Sequence, residues 1–164
     1  MLNEWRPIQE FRGYSVSSEG FVRNEENGRR MALLVNQNGI VNVGLTKNRV
    51  QYKRAVALLV ATAFIKNENG DAFNCPINLD GDRFNNRVDN LAWRPRWFAT
   101  KYFQQIEEAH FNDPYPITEV NTHKNFASPW DAALKNGLLQ VDVLLSICNG
   151  EEVWPTGQRF VRLI

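Results

Sequence analysis

Long apolar runs, paired cysteines, histidine and net charge are all scarce in this 164-residue chain, and each scarcity removes a class of function. The longest apolar run, residues 55–65, is broken by Thr62 and falls short of the roughly 20 residues that span a bilayer, so it is read as neither an anchor nor a secretory leader. Cys75 and Cys148 lie far apart with no CxxC pairing. That spacing argues against a disulfide framework or a structural zinc site and fits reduced thiols in a cytoplasm. Only two histidines are present, His110 and His123, both in the last third, where a lone imidazole is usually structural or solvated. The formal net charge is only +1, so the chain as a whole is not a polycation.

What is present suits a folded protein. Hydrophobic residues make up 43% and charged residues 23%, enough to build a core as one domain or two small ones. Charge is distributed unevenly. Residues 1–54 carry nine Lys/Arg against five Asp/Glu, whereas residues 104–164 carry four against eight. A basic face toward a polyanion is therefore available only in the first third.

Two short alternating stretches around Ser18-Glu19-Gly20 predict an antiparallel hairpin near the start. Further strands are predicted over 31–35, 40–45 and 50–52, separated by Asn38-Gly39 and a short turn. Arg23, Arg29, Arg30, Lys47, Arg49, Lys53 and Arg54 gather in this region. They form either a phosphate-contact set or a solvated edge whose charges block aggregation. Residues 54–64 predict an Ala- and Leu-rich helix, apolar on most faces, which needs cover from its own domain or from another protein. Helical character is predicted again over 97–110. In the last third, strands over 116–120 and 157–162 flank two helices, the first opened by Ser128-Pro129 and the second spanning 138–148.

One stretch is more specific. Asp80-Gly81 signals a tight hairpin turn, Asn85-Asn86 can hold a loop through side-chain to backbone bonds, and Asn90, Leu91 and Trp93 read as the start of a closing helix. Asp80, Gly81, Asn85, Asn86, Asn90, Leu91 and Trp93 together resemble the ββα-metal core of phage and intron-encoded HNH homing endonucleases, in which these positions are scaffold. The string from Trp5 to Asn24 resembles the small DNA-binding module that precedes many such cores, and the last third resembles their C-terminal repeat. The resemblance implies an α+β fold in three parts: an N-terminal antiparallel sheet module (1–54), an HNH-like ββα core (55–112) and a helix-turn-helix-type module with short strands (113–164). Arg94 and Arg96 join the implied DNA-contacting cations, and Pro95 between them is expected to interrupt the helix.

The same resemblance shows what is missing. An HNH nuclease needs a His to activate water and a carboxylate with an Asn or His to hold a divalent metal. Those positions fall on Asn78, Ile77 and Ala99, none of which can do that work. Asp80, Asp82 and Asp89 remain, and carboxylates in such turns are more often solvated than metal-bound. No catalytic residue, metal or other cofactor is therefore expected, a divalent ion entering only if residual nuclease activity exists.

The leading expectation is a phage-type, non-cleaving DNA-binding or regulatory factor acting on double-stranded DNA in a host cytoplasm. The alternative is an interaction factor for a host or phage nucleic-acid enzyme, and the third reading is a nicking endonuclease with relocated ligands. The acidic character of the last third, with Asp131, Asp142, Glu151 and Glu152, argues against DNA docking there.

Overall fold

The computed structural model describes residues 3–163. These form an α+β protein that divides into two compact units. The first contains the chain up to Asn78 and residues Asp82–Arg96; the second contains Leu79–Gly81 and everything from Trp97 onward.

The first unit begins with β1 (Trp5–Pro7), β2 (Tyr14–Ser17) and β3 (Val22–Asn24), an antiparallel sheet in sequence order. Its second sheet is β4 (Leu33–Val35), β5 (Val41–Lys47) and β6 (Val50–Ala55), also antiparallel. Val41, Val43 and Leu45 alternate inward along β5, the period of two that buries one strand face. They join Val16 and Val22 from the first sheet, and Ile8 and Phe11 from the segment between β1 and β2, in one core.

That core is closed by α1 (Val56–Phe64). The helix has neither a side-chain cap nor an acidic first turn, so packing rather than end effects must hold it. Val56, Leu59, Val60 and Ala61 are buried, and Ala57, Ala63 and Phe64 pack against the same core. The apolar helix is thus covered by its own unit. Its last turn is held by the Arg6 guanidinium, which donates to the Ala63 carbonyl at 2.9 Å and lies 4.6 Å from the Phe64 ring centroid.

Next comes the antiparallel pair β7 (Cys75–Asn78) and β8 (Leu91–Arg94), in register at Ile77↔Ala92 and Asn78↔Leu91. This corrects three expectations. Leu91 and Trp93 lie in a strand, not in a closing helix; only Val88–Asn90 makes a single 3-10 turn. Pro95 does not interrupt a helix but separates β8 from α2 (Arg96–Glu107), since the residue before a proline is driven to extended backbone. Asp80-Gly81 does not close a tight two-residue hairpin either, because the strands are joined by the whole segment 79–90. Residues on both sides of position 54/55 share one core, with Leu91 from β8 included, so the packing groups the chain differently from the three-part division by sequence.

The second unit holds α2, β9 (Ile117–Glu119), β10 (Asn125–Phe126), α3 (Pro129–Asn136), α4 (Gln140–Asn149) and β11 (Phe160–Arg162). The sheet order is β10-β9-β11, all antiparallel. Ser128 caps α3 by accepting the Asp131 N–H at 3.1 Å, with Pro129 at the first helical position. Leu139 cannot cap α4, and the Gln105 side chain does so instead, accepting the Gln140 N–H at 2.9 Å. Ile117, Phe126, Ala132, Ala133, Leu138, Val143, Val153 and Phe160 form this unit's core. Among the described residues, no helix is long and apolar enough to cross a membrane.

Candidate nucleic-acid interface and motif loop

The motif loop is built on amide bonds. Asn78, buried at the end of β7, donates through Nδ2 to the Asn85 carbonyl at 2.9 Å and to the Asn86 Oδ1 at 3.1 Å. The same Asn85 carbonyl accepts from Asn90 Nδ2 at 2.8 Å, and Asn86 Nδ2 donates to the Arg83 carbonyl at 3.2 Å. Asp82 Oδ1 accepts the Phe84 N–H at 2.9 Å, the local turn that starts the loop. Trp93 Nε1 donates to the Ile65 carbonyl at 3.0 Å and so fastens β8 to the residue that ends α1.

The loop also docks on the N-terminal hairpin. Val88 N–H donates to the Ser18 carbonyl at 2.9 Å, and Arg87 reaches Glu19 at 3.5 Å. Gly20, at φ 86°, approaches so closely that a Cβ there would lie 3.1 Å from the Asn86 carbonyl oxygen. Sequence reasoning missed this contact because it joins segments far apart in the chain.

Ile77 is fully buried on β7. A hard divalent cation takes oxygen donors, and an aliphatic side chain offers none. The Asn78 nitrogen is an amide donor already engaged twice, with no lone pair for a proton. Ala99 is buried on α2 in the second unit. These side chains do not fit the metal and base of an HNH site. Among the described residues, no three His, Cys, Asp or Glu side chains come together to hold a metal. His110 stacks on Trp130 at 4.1 Å between ring centroids, an aromatic packing role. Burial pushes the Cys75 thiol up, with Arg96 and Arg83 opposing, which disfavours the nucleophilic thiolate.

Leu79 and Gly81 belong to the second unit. The Tyr102 hydroxyl donates to the Leu79 carbonyl at 3.0 Å, and a Cβ at Gly81 (φ 78°) would meet Ile106 Cδ1 at 2.8 Å. Asp80 stands exposed between them.

The predicted cations separate into groups. Arg23 pairs with Glu25 at 2.7 Å and lies over Trp5; Arg30 lies over Phe21. Arg54 pairs with Glu10 at 2.5 Å and lies between Phe11 and Tyr52 at 4.9 and 5.4 Å from their centroids. The hydrogen bond between them holds the Glu10 carboxyl below its ordinary range and raises Arg54. These arginines are tied into the sheets. Lys47 sits 6.0 Å from the Phe11 centroid with its side chain exposed. Arg29, Arg49 and Lys53 are exposed, and Asn48-Arg49 form the β5–β6 turn with φ of 53° and 64°. Arg94, by contrast, is buried and donates to the Trp93 carbonyl at 2.8 Å, so it is not one of the exposed contact cations; Arg96 is exposed. Most rings under these arginines lie elsewhere in the chain, Trp5 under Arg23, Phe21 under Arg30 and Phe11 under Arg54, so local sequence does not pair them.

Comparison with known proteins gives a consistent picture. A model of the NUMOD4 motif matches residues 3–46. Two uncharacterised HNH endonucleases of Acanthamoeba polyphaga mimivirus are similar to the chain: one is 32% identical over 93 residues (57% of this chain, 27% of the relative) and the other 28% identical over 125 residues (72% and 30%). The chain thus spans less than a third of the length of these curated relatives. The solved structure of the HNH homing endonuclease I-HmuI, a protein that binds and cleaves DNA, shares the fold with a TM-score of 0.54 and 22% identity over 98% of both chains. The chain thus matches the NUMOD4 motif over its first part, is similar to HNH endonucleases over part of their length, and shares the fold of an HNH homing endonuclease.

Proposed function

We propose that this chain is a catalytically degenerate HNH-type protein, of phage type, that binds duplex DNA without cutting it and acts as a regulatory factor. The observation that carries the reading is the chemistry of β7. Ile77 is an aliphatic side chain with no ligating atom, and Asn78 has its amide nitrogen committed to Asn85 and Asn86. A nuclease of this family needs a water-activating base and a metal ligand at those positions.

DNA binding rests on the first unit. Arg29, Lys47, Arg49 and Lys53 are exposed, and phosphate contacts of this kind give sequence-independent affinity through counterion release. Arg23 and Arg54 are each held by a carboxylate and an aromatic ring, and Arg30 is exposed over Phe21. Gel retardation of a DNA duplex across a salt series tests the reading. Binding that weakens steeply with salt supports it, and absence of binding at low salt overturns it.

A further inference from the structure

The second unit contains a groove of ≈ 500 Å³ whose chemistry differs from that of the first unit. One wall is aromatic. Trp97 and Trp154 stack at 5.4 Å with an interplanar angle of 19°, over the buried Phe98, yet remain 55% and 47% exposed. The other wall is Val141 and Leu145 on α4, 57% and 49% exposed. Large apolar side chains gathered at this exposure mark an interaction surface rather than scattered surface hydrophobics.

Charge selects the occupant. Asp142, Glu151 and Glu152 line the groove, against Lys101 as the single cation lining it among the described residues. Lys101 Nζ already sits 5.5 Å from the Trp97 centroid, so an ammonium group is accommodated on this aromatic face. Asp142 is half-buried; burial raises its carboxyl above the ordinary range, and Lys101 only partly opposes that. A further cation would relieve it. Phosphates would instead meet three carboxylates, which disfavours nucleic acid here.

We propose that this groove binds a basic peptide segment of a protein partner. An apolar side chain of the segment would rest on Val141 and Leu145, with flanking Lys or Arg side chains over Trp97 and Trp154 and within reach of Asp142, Glu151 and Glu152. The inference uses none of the cations assigned to DNA and stands independently of that reading. It gives the acidic last third of the chain a partner of opposite charge.

The test is a titration of the ¹⁵N-labelled full chain, following the tryptophan indole N–H signals. The probes are a synthetic amphipathic peptide with Leu on one face and Lys and Arg on the other, the same peptide with Glu replacing every Lys and Arg, and a short DNA duplex. The basic peptide should shift the Trp97 and Trp154 indoles saturably and leave Trp5 and Trp93 in place. Affinity should fall roughly tenfold when Asp142→Asn, Glu151→Gln and Glu152→Gln are combined. Leu145→Ser, at a half-exposed position that leaves every charge intact, should weaken binding as well. Four results would each overturn the proposal: no shift with the basic peptide, equal shifts with the acidic one, unchanged affinity in both variants, or movement of these indoles by the duplex.

Discussion

The Asn78 side-chain amide donates to the Asn86 side-chain oxygen at 3.1 Å, tying the end of β7 to the loop that follows it. Asn78 thus acts as a strut between the strand and the loop. Replacing Asn78 with Ala removes two hydrogen bonds and takes this donor from the buried Asn86 Oδ1, while the Asn85 carbonyl keeps Asn90, at a cost of about 1–3 kcal/mol in urea unfolding. Asn78→Asp turns an oxygen toward two acceptor oxygens and should cost more than Asn78→Ala at neutral pH.

The β5–β6 turn separates binding from stability. Arg49 holds φ 64°, a left-handed conformation that costs a non-glycine residue roughly 1–2 kcal/mol. Arg49→Gly relieves that strain at an exposed position, so the melting temperature should hold or rise. Duplex affinity should fall, with the salt slope reduced by about one. Arg54→Ala should show the opposite balance, because it breaks the Glu10 pair and uncovers Phe11 and Tyr52.

Gly20 tests the docking of the motif loop on the hairpin. An alanine Cβ would meet the Asn86 carbonyl oxygen at 3.1 Å and Asn86 Cβ at 3.2 Å, on a backbone with φ 86°. Strain and crowding together should cost at least about 1–2 kcal/mol. Hydrogen exchange should quicken at the Val88 amide, which bonds to Ser18.

Acid should weaken the second unit through two carboxylates. The Arg162 guanidinium, at 2.8 Å, holds Asp113 below the ordinary range. At Glu119 burial pushes upward, but the Thr122 hydroxyl and the Thr122 and Asn121 amides outweigh it and lower the carboxyl. Because both folded values lie below the unfolded ones, their stabilisation is present above about pH 4 and is lost as pH falls through the lowered values. Thermal melts should show that loss, and Asp113→Asn should flatten it.

Local signals made much of this fold legible. The strands of the first sheets, the Ala-rich helix and the Ser128-Pro129 start of α3 each follow from residues within a few positions of one another. The helix expected from Asn90 was wrong because Leu91 and Trp93 fit a strand face equally well, and only pairing with β7 decides between them. That Ile77 and Asn78 sit on a strand and Ala99 on a helix follows from folding, while their identities are plain in the sequence. The state of the cations was not legible there, since Arg54 meets Glu10 in the turn between β1 and β2 and Arg94 is buried only after folding. The aromatic groove was hidden for the same reason, as Trp97 and Trp154 lie far apart in the chain.

The central claim is binding without cleavage, and one experiment addresses both halves. Supercoiled plasmid is incubated with the full chain in magnesium and in manganese, and each sample is divided between a retardation gel and a denaturing gel. The account predicts salt-sensitive retardation with no nicked or linear product beyond the metal-only control. Metal-dependent nicking that disappears in Asp80→Ala would contradict it.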